Sequence, residues 1–231
     1  NEKIDMFFMD YHIENDEYKS SKKCKQKMAE NQVININSES QKVLFSDIQH
    51  HCIAYRTSIL HKMEYKQTEG ISYTDQEWIT LPLLNVKSIK YIPIDVYEYF
   101  LGREGQTMDK KIIAKSVRAH AQIGETLINK YCAEKNTMFV YNKAIVKDRI
   151  ISYYRYIYRE FLVINVSKES EETIKRADDV LYNKDAEIYT ELNKVTFSDK
   201  IRIKFIKIWR NNPNSILLCL LRFVYKLMHK R

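Results

Sequence analysis

The chain has 231 residues, 45% of them hydrophobic, which suits one large or two small globular domains with a proper core and excludes a disordered polymer. Only 4 Gly and 3 Pro punctuate it, against 17 Tyr, so long helices joined by short connections fit best. The net charge of +8 belongs to the end of the chain. From Ser198 onward nine bases (Lys200, Arg202, Lys204, Lys207, Arg210, Arg222, Lys226, Lys230, Arg231) face the single acid Asp199, and the other 29 bases and 29 acids cancel.

Cys24, Cys52, Cys132 and Cys219 show neither CxxC nor metal-ligand spacing, which argues against a zinc or disulfide framework and for reduced thiols inside a cell. The sequence opens at Asn1 with no charged-then-apolar leader, so no signal peptide is read and the chain is expected to be a fragment. No uninterrupted apolar run reaches the roughly 18 residues a spanning helix needs, because Ile216 to Met228 is broken by Arg222 and Lys226.

In chain order, "KIDMFFMDYHIEND" predicts a buried strand over Asp5 to Ile13, ending in a polar turn. Residues 14 to 40 are polar and Lys-rich and read as an excursion or flexible loop. "QKVLFSDIQHHCIAYRTSILHKM" reads as a strand near Lys42 to Asp47 and a short helix after Ala54. A helix opens at Thr74 and runs to about Val86. Ser88 to Leu101 then reads as a strand or hairpin arm, with Pro93 placing it at an edge or bend. Gly102 and Gly105 bracket the loop "GREGQT".

From Asp109 the apolar spacing turns helical. It predicts helices through Ile112 to Tyr131, through Ala144 to Phe161, from about Glu169 to Tyr182 and from about Asp185 to Asn193. Two basic amphipathic stretches follow, separated by "NNPNS". The expected class is α+β, mostly α: a mixed α/β part over 1 to 108 and an all-α part over 109 to 231.

The stretch "EGISYTDQEW" admits two readings. Thr74 and Glu77, just ahead of Trp78, Ile79 and Leu81, match a capping box, in which hydroxyl and carboxylate each satisfy an orphan helix N–H. That box leaves Asp75 over, and an ionised carboxylate in a first helical turn is what a general base toward an alcohol needs.

The segment "EGISYTDQEW" followed by "IKYIPIDVYEYFLGREGQTM" resembles the C-terminal, acceptor-side half of the GT-A-fold glycosyltransferases of family 2, the bacterial inverting enzymes that build surface and capsular polysaccharides. Tyr91, Pro93, Tyr97, Tyr99, Arg103, Gly105 and Thr107 follow the order of the family's strand and closing Gly-Thr loop, with Gln106 inserted before the hydroxyl. The resemblance covers about residues 1 to 110. It implies that Asp75 is the catalytic base. It places Arg103, Gly105 and Thr107 near the donor diphosphate, and His51 where the acceptor-side wall begins.

The family's donor half, with its "VSVIIPxYN" strand and DxD motif, is not found here, and "MDYHIEND" does not supply that motif. The divalent metal, Mg or Mn, is therefore expected only with a donor half, and this chain alone is expected to be inactive. "QEW" also lacks the Arg of the QxxRW signature, which disfavours a processive synthase.

In "RIISYYRYIYREFLVI" the tyrosines fall all round the helix, which favours core packing over a stacking surface for sugars or bases. The tail, 198 to 231, suits a helix at an anionic membrane surface, with Trp209 and Tyr225 at headgroup depth. It equally suits an apolar face packed on the helical half with a solvated cationic rim. Nucleic acid is not expected as a partner, since no recognition motif accompanies the charge. The family implies a nucleotide-sugar donor, a saccharide or lipid-linked acceptor, and a cytoplasmic enzyme peripheral to the inner face of the cell membrane. The rival is a non-catalytic helical interaction or membrane-binding module whose acidic knot only caps a helix.

Overall fold

The computed structural model describes residues 3–15, 19–45, 48–102, 105–107 and 109–228. Helix takes 53% of the chain and strand 17%, in a curled mixed sheet and a C-terminal all-helical region, so the class is α+β, mostly α. The chain forms two compact units, Asn1–Ile112 with Ala133–Arg149, and Ile113–Cys132 with Ile150–Arg231.

The first unit is built on β1 (Met6–Asn15), whose first half alternates buried and half-buried side chains as a strand with one face on a core must. Met6 and Phe8 are fully buried. β1 pairs in parallel with β5 (Ser88–Leu101) and antiparallel with β2 (Ser20–Cys24) and β4 (Ile53–Tyr55), while β3 (Val33–Asn35) pairs antiparallel with the start of β5. The five-stranded sheet runs β2-β1-β5-β3, with β4 on β1.

Between Phe8 and Asp10 the partner register moves from Tyr91 to Asp95, and between Asp10 and His12 from Asp95 to Glu98, so β5 bulges twice against β1. Pro93 lies inside the first bulge, where its missing N–H removes no ladder bond, as the expected edge or bend requires.

The span 14 to 40, read as a loop, contributes β2 and β3. The Lys-rich stretch forms strands because its backbone has an edge of β1 for β2 and an edge of β5 for β3 to pair with, and β2 is exposed along most of its length. The strand expected near Lys42 to Asp47 is instead a 3-10 turn, Glu39–Phe45; residues 46 and 47 lie outside the described residues. A three-residue apolar run does not distinguish a strand from a helical turn. What decides is the burial of Phe45, edge-on to Phe8 at 5.9 Å.

The short helix after Ala54 is α1 (Thr57–Lys62). The helix at Thr74 is α2 (Asp75–Thr80), continued by the 3-10 turn Leu81–Leu84, all four residues of which are buried. Asn142 closes that turn by donating from Nδ2 to the carbonyls of Leu83 and Val86 at 2.7 and 2.6 Å.

The helix expected from Asp109 splits into α3 (Lys110–Ile113) and α4 (Val117–Glu134), with the Ser116 hydroxyl donating to the Ile113 carbonyl at the break. α5 (Val140–Arg159) ends in a five-residue π-helical turn, Glu160–Ile164. The chain passes between units within α3, within α4 and again within α5.

The second unit continues with α6 (Lys168–Lys184), α7 (Ala186–Leu192), α8 (Phe205–Asn211) and α9 (Ile216–Met228). Its core gathers Ile123, Leu127, Ile150, Ile157, Ile174, Leu181 and Ile188, all inaccessible. Tyr153, Tyr154 and Tyr158 are also core residues, as their placement round the helix predicts. Ser167 opens α6 with a capping box to Ser170, and Asp185 caps α7 by accepting from the Ile188 N–H at 2.9 Å.

Arg210 forks onto the Asp178 carboxylate at 2.6 and 3.1 Å and reaches the Tyr189 carbonyl and Asn193 Oδ1 at 2.7 and 2.9 Å. The Tyr158 hydroxyl donates to the same carboxylate. A buried ion pair of this kind is viable because nearly every donor and acceptor in it is used.

Candidate active site around Asp75

The acidic knot does not form a capping box. Thr74 has αR backbone angles and its side chain makes no capping bond; its Oγ1 accepts from Gln67 Nε2 at 2.7 Å instead. Glu77 is fully buried and turned away from the helix start, accepting from the Thr68 N–H at 2.9 Å and the Thr68 hydroxyl at 2.7 Å. Burying a carboxylate is costly unless it gains such bonds, so Glu77 serves as the anchor of the 67–74 loop.

Asp75 is the acid of the knot left facing outward. Its side chain is 35% exposed, and one carboxylate oxygen lies 3.5 Å from His50 Nδ1. His50 and His51 come from a 3-10 turn, His50–Cys52, immediately before β4. That turn brings the sequence-predicted His51 into the same neighbourhood.

The His51 ring is boxed in aromatics. It stacks on Tyr97 at 4.6 Å and 17°, meets Tyr11 edge-on at 4.4 Å, and lies 5.4 Å from Tyr99. Burial, and secondarily the neighbouring His50, lower its pKa to about 4, so the ring is neutral at physiological pH. The neutral ring packs as one member of this aromatic cluster. Tyr97 itself is 45% exposed and presents the outer face of the cluster. Burial, Tyr97 and then Asp75 raise the Tyr99 hydroxyl pKa, which ties Tyr99 electrostatically to the Asp75 carboxylate.

The closing loop reaches this cluster through Tyr73, which takes a left-handed φ of 70° and donates from its hydroxyl to the Thr107 carbonyl at 2.7 Å. A non-glycine residue in that region carries strain and needs a reason in the surrounding structure; the tether to Thr107 is one. Gly105 has φ +79° with open space where a Cβ would be, so its glycine answers to backbone conformation and not to crowding. Arg103 lies outside the described residues. The structure thus joins Asp75, His51 and the Thr107 loop, three pieces separated in sequence.

Sequence reasoning missed His50, Tyr11, Tyr97 and Tyr99 as members of one cluster. The alternation of Tyr97 and Tyr99 on β5 was visible, but their partner ring was not, because it depends on β5 lying beside β1. Asp10 is a different kind of acid. It is inaccessible, accepts from the Tyr91 hydroxyl at 2.7 Å and lies 3.7 Å from Lys23 Nζ, so it belongs to the sheet's interior.

Among the described residues no group of three or more His, Cys, Asp or Glu could hold a metal ion, and the divalent ion expected with a donor half is assigned to no residue of this chain. A cavity of about 510 Å³ in the same unit lies elsewhere, lined in part by Asp5, Ile59, Lys62, Asn85, Lys87 and Phe139. Comparison with protein-family models, curated proteins and solved structures gives no match for this chain.

Proposed function

We propose that the first unit is the acceptor side of an inverting glycosyltransferase of the GT-A type, with Asp75 as general base. The observation that carries this reading is the pairing of an outward-facing Asp75 with His50 at 3.5 Å beside the His51–Tyr97 ring stack. Flat aromatic faces suit the C–H faces of a sugar ring, and a carboxylate at their border is placed to meet a hydroxyl of that sugar.

In the proposed step the acceptor hydroxyl gives its proton to an Asp75 oxygen as the acceptor oxygen bonds to the donor's anomeric carbon. The bond to the nucleoside diphosphate breaks, and the diphosphate leaves with the electron pair. His50 holds the carboxylate toward the wall. Gly105 and Thr107 serve the donor side through the Tyr73 tether, and Arg103 is assigned a donor-binding role from the sequence resemblance alone. The donor is a nucleotide sugar completed by a donor half with its Mg or Mn ion; the acceptor is a saccharide or lipid-linked saccharide of surface polysaccharide synthesis. The enzyme then works at the cytoplasmic face of the membrane.

The test is nucleotide-sugar turnover by the full gene product, with a membrane extract as acceptor source, for the wild type and Asp75→Asn. Transfer should fall by roughly 10² or more with the circular dichroism unchanged. Tyr97→Ala should raise KM for the acceptor more than it lowers kcat. Undiminished transfer by a folded Asp75→Asn protein sinks the assignment.

A further inference from the structure

α8 and α9, both basic and amphipathic in sequence, use their apolar residues differently. On α8, Phe205, Ile206 and Trp209 are buried in the helical unit, with Trp209 edge-on to Tyr158 at 5.7 Å. Trp209, expected at headgroup depth, is therefore an interior residue. Tyr225 is half-buried, edge-on to Phe197 at 6.0 Å.

α9 has two apolar faces. Leu218 and Leu221 are buried, at 1% and 3% exposure, and hold the helix to its unit. Ile216, Leu217, Leu220, Phe223, Leu227 and Met228 are each more than half exposed. At about 100° per residue these six, with Val224, occupy one continuous stripe roughly 140° wide. A soluble surface rarely leaves an apolar strip of that extent without a partner.

The charge around α9 selects the partner. Lys226 falls in the sector bordering the stripe, α9 has no acid, and Arg202, Lys204, Lys207 and Lys226 are exposed, while Arg222 turns inward to the Leu162 carbonyl and the Glu171 carboxylate. Of the nine Lys and Arg from residue 198 onward, Arg210 and Arg222 are paired with Asp178 and Glu171, and the other seven are met within that stretch by Asp199 alone. A second copy seated on the stripe would set one such cationic tail against another, an arrangement like-charge repulsion opposes. An anionic lipid surface meets both requirements, apolar depth beneath and phosphate above. Leu218 and Leu221 hold α9 along the surface of its own unit, and its thirteen described residues span about 20 Å with Arg222 and Lys226 among them, a geometry that suits lying in the interface.

We infer that α9 is an in-plane membrane-docking helix for anionic bilayers, seated through Leu220, Phe223 and Leu227 with Lys226 and the exposed cations of 202–207 at the phosphates. This inference stands on α9 and is independent of Asp75.

The test is co-sedimentation of the full chain with vesicles of phosphatidylcholine alone and of phosphatidylcholine mixed with phosphatidylglycerol. The anionic vesicles should pellet the protein with an affinity at least ~10-fold higher, and added salt should weaken binding. Leu220→Glu combined with Phe223→Glu should reduce that binding ~10-fold or more. Because both side chains point outward, circular dichroism should not change. Lys204→Glu with Lys207→Glu, which touches no apolar contact, should remove the preference for anionic vesicles. Absence of vesicle binding, or equal binding by the wild type and the folded double-Glu variant, overturns the inference. So does a wild-type dimer in light scattering that the Leu220/Phe223 variant splits while vesicle binding stays unchanged, since the stripe would then be a protein interface.

Discussion

Glu77 offers the sharpest check on the fold around the candidate site, because a helix cap and a buried anchor predict different losses. If Thr74 and Glu77 formed a capping box, Thr74→Ala would cost about 1 kcal/mol and Glu77→Ala a similar amount. In the structure Thr74 makes only an exposed bond to Gln67, whereas Glu77, inaccessible to solvent, takes both the N–H and the hydroxyl of Thr68. Bonds to a charged acceptor contribute roughly 1.5–3 kcal/mol each, and deleting the carboxylate relieves part of its own burial cost. The expected losses are about 2–4 kcal/mol for Glu77→Ala and under about 0.5 kcal/mol for Thr74→Ala.

Urea unfolding followed by tryptophan fluorescence measures both variants. Trp78 is next to Glu77 and packs edge-on against Tyr55 at 5.0 Å, so a Trp209→Phe background makes the emission report the first unit alone. Equal losses for the two variants, or a larger one for Thr74→Ala, would refute the anchor assignment.

Other expectations concern the helical unit. His120 is 2% exposed, with Nδ1 2.8 Å from the Tyr153 hydroxyl, and burial lowers its pKa to about 4. A base whose folded pKa lies below its unfolded value of 6.5 stabilises the fold above pH 6.5 and loses that contribution as pH falls toward 4; here it amounts to about 3 kcal/mol. His120→Gln should flatten the stability–pH curve across that window relative to wild type. Arg210→Met leaves the buried Asp178 carboxylate without its cation and should cost about 3–5 kcal/mol in the same urea assay, detected through Trp209. A Cβ at Gly124 would meet the Tyr154 ring and hydroxyl at 3.3 Å. Gly124→Ala should therefore destabilise by about 1–2 kcal/mol despite its better helix propensity, and less so in a Tyr154→Phe background.

The helices from Ile123 to Leu192 were legible because their apolar residues recur with helical spacing, whereas the caps at Ser167 and Asp185 came only from the structure. β1 and β5 were legible as strands, down to the bend at Pro93. β2 and β3 were not, since a run such as Ser20–Cys24 carries no apolar signal and becomes a strand only through the backbone groups β1 offers it. The site was legible in part. Asp75 and His51 could be singled out, but nothing local paired His50 with Asp75 or set Tyr97 on His51.

By itself the sequence determined composition class, helix content, the neutrality of residues 1 to 197 and the cationic end, because these follow from residue identity and short-range periodicity. Only the tertiary structure decided the partners. It turned Glu77 from a cap into a buried anchor, gathered Tyr11, His51, Tyr97 and Tyr99 into one cluster, and buried the apolar face of α8 while leaving one of the two apolar faces of α9 open. A side chain's pattern tells which face wants to leave water, and only the packed chain settles whether protein is there to receive it.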